Sequence, residues 1–149
     1  MVQEYIVDAS VLVQAFVVEP DTKRVRSLLR TLYEKPNPAV LHVPEFCLLE
    51  CTNILWKQVR FHAAKQAEIQ KALIALLNTP LTVEPVTTLL PRALDIGAEY
   101  NLAVYDSLYI AMSEQLNHPL ITIDQRQSSA AEKVGIRLKL LSDFPEFTD

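Results

Sequence analysis

Leu120-Ile121-Thr122-Ile123-Asp124 is a run of strand-forming residues closed by an acid, and Tyr5-Ile6-Val7-Asp8 opens the chain in the same way. Short apolar runs rich in β-branched residues read as strands buried on both faces. Val40–Val43, Leu81–Val83 and Ile136–Leu140 are three more segments of this kind. Between them the apolar residues recur at helical spacing. Strands separated by helical crossovers call for a parallel sheet with helices on both faces. The expected fold is therefore α/β, a three-layer α/β/α sandwich around a central parallel sheet.

The helices are read from periodicity and punctuation. Ser10 to Val18 is a short apolar helix stopped by Pro20. Asp21 is expected to cap a second, in which Val25, Leu28, Leu29 and Leu32 face inward and Lys23, Arg24, Arg26 and Arg30 face water. Pro44 suits the first turn of a helix running to about Val59. Further helices are expected over Ala63–Leu77, Thr87–Tyr100 with Pro91 in the first turn, Tyr105–Leu116 and Gln127–Val134, the last ended by Gly135. Residues 1–141 form one domain on this reading, followed by a polar tail over 142–149.

Composition narrows the function. Half of the 149 residues are hydrophobic, enough for a packed core. The longest uncharged run, Ala72 to Val83, is broken by Pro80 and falls short of the roughly 20 apolar residues of a membrane span. No basic segment leads into an apolar stretch at the N-terminus, so cytoplasm is the expected location and no membrane association is expected. Two glycines are too few for a phosphate-cradling loop. Cys47 and Cys51 read as small core-filling thiols, and His42, His62 and His118 match no metal-binding or triad spacing.

Four acids break the apolar pattern. Asp8 and Asp124 follow strands, at the carboxyl ends where open α/β sheets bind ligands. Glu50 interrupts Phe46-Cys47-Leu48-Leu49, and Asp106 opens the helix containing Leu108-Tyr109-Ile110-Ala111-Met112. Turn formation or helix capping would account for Asp8, Asp106 or Asp124 taken singly. An ion pair with Lys57 or an arginine would account for Glu50. Taken together they carry a different meaning. Two carboxylates about 4 Å apart repel by roughly 4 kcal/mol at an effective dielectric near 20, so four in one pocket need protons or a cation. Oxygen donors of this type suit Mg2+ or Mn2+ rather than zinc. The net charge of −4 equals the charge of these four acids, so the rest of the chain is balanced and a nucleic-acid substrate is compatible with it.

Arranged in order, Val7-Asp8-Ala9-Ser10, Pro44-Glu45-Phe46 through Glu50-Cys51-Thr52-Asn53-Ile54-Leu55-Trp56, Tyr105-Asp106-Ser107-Leu108-Tyr109-Ile110-Ala111 and Leu120-Ile121-Thr122-Ile123-Asp124-Gln125-Arg126 resemble the motifs of PIN-domain ribonucleases. The likeness is greatest to the toxin component of VapBC-type toxin–antitoxin modules and covers nearly the whole chain. It implies an endoribonuclease dependent on Mg2+ or Mn2+, an RNA substrate, a homodimer and a cognate antitoxin. By position, Asp8, Glu50, Asp106 and Asp124 would be the catalytic, metal-binding acids, with Asp8 and Asp106 holding the ion most directly. Ser10, Asn53 and Thr122 would orient them, and Arg126 would touch a phosphate. Gln125 stands in a loop that is often basic in relatives.

Two rivals differ in class. A haloacid-dehalogenase-type phosphotransferase also puts an Asp after its first strand, but wants a second acid two residues on, where this chain has Ser10. A non-catalytic PIN-scaffold interaction module, or a stand-alone nuclease without an antitoxin, would share the fold. Fold alone does not choose among them.

Overall fold

Residues 1–147 are described by the structure, a computed structural model. Four parallel strands form the sheet: β1 (Glu4–Val7), β2 (Val40–Pro44), β3 (Thr82–Glu84) and β4 (Leu120–Ile121), in the order β3-β2-β1-β4. Ile6 lies opposite His42 on one side and Leu120 on the other, and His42 lies opposite Thr82. The chain leaves β1 outward in both directions, so the order reverses there and a ligand crevice is expected above its carboxyl end.

Helices flank this sheet: α1 (Ala9–Leu12), α2 (Thr22–Arg30), α3 (Phe46–His62), α4 (Gln66–Leu77), α5 (Leu90–Tyr100), α6 (Val104–Leu116) and α7 (Gln125–Val134). The most buried is α6, which packs on β1, β2 and β4 and carries α5 and α7 on its outer surface. Its run from Ser107 to Ser113 is buried at every position, as expected of a helix between a sheet and other helices. Ile6, Val7, Leu41, Val43, Leu120 and Ile121 are fully buried strand residues at the centre of the core. None of the helices among the described residues is long and apolar enough to cross a membrane.

Several element boundaries differ from expectation, each for a local reason. Pro44 ends β2 instead of opening a helix; it lies opposite Glu84, and α3 starts two residues later. Proline is tolerated here because the next ladder bond to β3 is donated by Glu45 N, to Glu84 O (3.1 Å). The helix expected to Val59 continues to His62 and closes on Ala63 in the left-handed conformation (φ 56°), so α4 begins only at Gln66. The helix expected over 10–18 is α1 plus a 3-10 turn, Val13–Ala15. Asp21 makes no side-chain cap; the Thr22 hydroxyl holds that turn, donating to Val17 O (2.9 Å) and accepting from Glu19 N (2.9 Å).

The fourth strand stops at Ile121, and the expected fifth strand over 136–140 contributes one parallel bridge, Leu138 with Leu120. The tail is more engaged than its polarity implied. Phe144 is buried edge-on against Tyr5, Arg24 Nη1 donates to Phe144 O (2.6 Å), and Arg30 lies over the Phe147 ring at 4.5 Å. Part of the basic face of α2 therefore holds the C-terminal segment. Residues 148 and 149 of the tail lie outside the described residues.

Candidate metal-binding acid cleft

Asp8 follows β1 and caps α1, so one side chain serves a turn and a pocket. Its Oδ1 accepts from Val11 N (3.1 Å), both oxygens lie 3.0 Å from Ser10 Oγ, and Oδ2 accepts from Thr122 Oγ1 (2.9 Å). Only 5 % of the residue is exposed. Burial pushes its carboxyl up to about 6, although the three hydrogen bonds pull in the other direction and the charge of Asp106 adds a little.

Thr122 explains why β4 ends early. Its hydroxyl faces Asp8, accepts from Asp124 N (3.1 Å), and sits 2.6 Å from Gln127 Oε1. A hydroxyl carries one proton, so it cannot donate to Asp8 and to Gln127 together. The arrangement is satisfied when Asp8 itself holds a proton, which agrees with its raised carboxyl.

Asp106 lies half-buried in the first turn of α6. Burial raises its carboxyl most, the charge of Asp124 raises it further, and Arg126 opposes both. Glu50 is half-buried midway along α3 and accepts from Tyr109 Oη at 2.8 Å. Burial raises Glu50 too; the Tyr109 hydrogen bond offsets part of this and the charge of Asp106 adds to it. Asp124 is exposed at the N-cap of α7, where its Oδ1 accepts from Gln127 N (2.9 Å). Asp106 is thus the electrostatic hub: Asp8, Glu50 and Asp124 each interact with its charge.

No three of these acids have ligand oxygens within 4.8 Å of one another; among the described residues that spacing occurs only for Glu4, His42 and His118. The acids are therefore spread wider than one bare coordination sphere. A magnesium-like ion, which keeps several waters and takes one or two carboxylates directly, suits such a spread. The donor set fits: hard oxygen atoms on carboxyls, three of which burial and neighbouring acids raise above their usual range despite the hydrogen bonds and the Arg126 charge that oppose this.

The remaining expected residues divide. Ser10 and Thr122 contact Asp8 directly. Asn53 is exposed and has no hydrogen bond to the acids. Arg126 Nη2 donates to Asn101 O (2.8 Å), at the end of α5, and its charge reaches Asp106. Two contributors were missed in the sequence. Tyr109 reads as core in an apolar helix, yet its hydroxyl holds Glu50. Gln127 is fully buried and links Thr122 to the Asp106 carbonyl, to which its Nε2 donates (3.0 Å). Asp124-x-x-Gln127 matches a capping box, a signal that could have found it.

The PIN domain family profile matches residues 5–133. "Ribonuclease VapC3" of Pyrobaculum aerophilum is 25 % identical over 123 residues, which span 81 % of this chain and 89 % of that one. Among solved structures, PAE2754 from Pyrobaculum aerophilum superposes with a TM-score of 0.72 at 21 % identity, covering 96 % of this chain and 94 % of the other. VapBC2 from Rickettsia felis, solved bound to a DNA fragment from its promoter, gives 0.66 at 17 % identity, covering 93 % and 98 %.

Proposed function

Because the chain belongs to the PIN domain family, we propose that it is an endoribonuclease dependent on a divalent cation, Mg2+ or Mn2+, and the toxin of a toxin–antitoxin pair. The observation carrying this reading is the field centred on Asp106. Three carboxyls are held above their usual range with no basic side chain hydrogen-bonded to any of them. A cation is what such a cleft lacks. The likeness to a protein named a ribonuclease, and to one solved as a VapBC complex, supports RNA as substrate and an antitoxin as partner. A homodimer and a cytoplasmic location go with this reading.

In the proposed mechanism Asp8 and Asp106 would hold the ion, with Asp124 and Glu50 completing the site directly or through water. An ion bound there would supply a water of lowered pKa and neutralise charge on the phosphodiester. Ser10 and the Val11 amide would hold the ionised Asp8 carboxylate, and Thr122 would turn its one proton to it from Gln127. Tyr109 anchors Glu50 through Oε1, which leaves Oε2 to accept a proton from the attacking water. Arg126, whose positive charge reaches Asp106, would meet a phosphate. No covalent nucleophile is required.

The test is cleavage of single-stranded RNA by the purified chain with Mg2+ or Mn2+. Asp8→Asn and Asp106→Asn should each abolish cleavage while circular dichroism stays native. Full activity in either variant, or in EDTA, would refute the assigned chemistry. Toxin and stand-alone nuclease separate on the adjacent reading frame: a short gene for a DNA-binding antitoxin whose product suppresses cleavage favours the former.

A further inference from the structure

The second cluster of ligand-type side chains lies away from the acid cleft, at the start of β1. We propose that Glu4, His42 and His118 form a site for a borderline transition-metal dication, Zn2+ being the best match, with Glu84 as the outer partner of His42. Glu4 opens β1, His42 lies within β2, His118 precedes β4 and Glu84 closes β3. His42 Nε2 is 2.9 Å and His118 Nε2 3.6 Å from the same atom, Glu4 Oε1, and one ligand atom from each residue lies within 4.8 Å of the others. Zinc bonds of ~2.0–2.1 Å in a tetrahedron put donor atoms roughly 3.3 Å apart. The two contacts bracket that value.

Protonation of His42 is a poorer explanation. Its Nδ1 also lies 2.9 Å from Glu84 Oε1, so both ring nitrogens face carboxylate oxygens. A neutral imidazole has one N–H and can satisfy only one of them. A proton on each nitrogen would make His42 a cation, stacked on His118 with centroids 5.4 Å apart and planes 11° apart, while His118 seeks a proton toward the same Glu4 oxygen. One dication at the two Nε2 atoms replaces both protons, and its charge balances Glu4 and Glu84. The Nδ1–H of His42 then donates to Glu84, the carboxylate–histidine–metal arrangement that fixes ring orientation and raises ligand basicity.

The site is built rather than incidental. His42 is 8 % exposed. His118 follows Asn117 in the left-handed conformation (φ 56°), its carbonyl accepts from Ser113 Oγ, and Asn117 O accepts from Arg137 Nη2 at 2.8 Å. Its side chain and that of Glu4 are 28 % and 33 % exposed, which gives an ion access from solvent and a fourth position for water. The two imidazoles select against the hard ions suited to the acid cleft. The ion would pin β1, β2 and the β4 approach together, and β3 through Glu84.

Titration of the full chain with Zn2+ alone tests this, in the Asp8→Asn/Asp106→Asn background so that the acid cleft does not contribute. One Zn2+ per chain should bind, raise Tm, and give tetrahedral absorption bands when replaced by Co2+. His118→Ala and Glu4→Gln should weaken binding at least ~100-fold, and Glu84→Gln by ~10-fold. His118→Ala should fold with an unaltered metal-free Tm, because its ring is partly exposed, and should lose the Zn2+-induced rise. The proposal fails if that background binds no Zn2+ at micromolar concentration, or if His118→Ala binds it as tightly. Cleavage of RNA is not read in this experiment, so its outcome is independent of the proposed nuclease activity.

Discussion

At the scale of the residue, Asp8 shows how one carboxylate can serve folding and the proposed chemistry together. It caps α1, ties β1 to Thr122 and sits almost dry, so the ion-free protein is burdened by its charge. Its carboxyl rises from an ordinary 3.8 to about 6, with burial as the chief cause. Between those values the folded chain keeps a proton that the unfolded chain releases. Stability of the ion-free protein therefore falls as pH rises from about 4 to 6 and stays reduced above it, by about 3 kcal/mol in all. Asp8→Asn keeps a capping side chain and removes the titration. Urea unfolding in EDTA should show the wild type losing stability across this window, and Asp8→Asn gaining about 1–3 kcal/mol on it at pH 7.5. Equal slopes for the two proteins would refute the assignment of the proton to Asp8. The proposed set Asp8, Glu50, Asp106 and Asp124 was legible as a candidate because an acid in an apolar run is costly and demands a reason. Tyr109 was not, since an aromatic residue in a buried helix already has one. Nor were Glu4, His42 and His118: strand order brings them together, and no sequence interval encodes it.

At the scale of the element, alternation of strand and helix was enough to expect the parallel sheet, while the ends of elements depended on contacts between distant residues. Pro44 suits a strand's last position as well as a helix's first turn, and pairing with Glu84 decides between them. Ile136–Leu140 has the composition of a strand, but Leu120 forms the only bridge to it because β4 turns away at Thr122. The tight corner between α5 and α6 has the same origin. Asn101 adopts φ 51°, Leu102 N donates to Gly97 O at 3.0 Å, and a Cβ on Gly97 would lie 2.7 Å from Leu102 O and 3.4 Å from Ser107 Oγ. Glycine is needed here for space, since the neighbour in its way is backbone and cannot swing aside. Gly97→Ala should push α6 from α5 and destabilise the protein by about 1–3 kcal/mol despite alanine's better helix propensity. Urea unfolding measures it; an unchanged or raised midpoint would show that the corner relaxes freely. Asp106 lies in the first turn of α6, so the same variant should lower cleavage through misplacement of that carboxylate.

At the scale of the whole molecule, the acid cleft at the carboxyl ends of β1 and β4 is served by α3, α6 and α7, while the C-terminal segment is spent on α2. Leu141 and Phe144 are buried, Phe147 N donates to Lys23 O (3.1 Å), and the Arg24 and Arg30 guanidiniums hold Phe144 O and the Phe147 ring. Charge made this segment look like a solvated appendage, because two aromatic anchors among acids and one proline form no periodic pattern. Among the described residues, none of these hydrogen bonds or ring contacts involves Asp8, Glu50, Asp106 or Asp124. Stability and catalysis should accordingly separate along the chain. Phe144→Ala removes a buried ring from the edge of Tyr5 and should cost about 3 kcal/mol, read as a lower urea midpoint. RNA cleavage per folded molecule at low temperature should stay within about twofold of wild type, since a loss of that size acts on the folded population and not on the cleft. A large fall in cleavage by a fully folded Phe144→Ala protein would mean that the C-terminal segment positions the acids, and that the cleft is not self-contained.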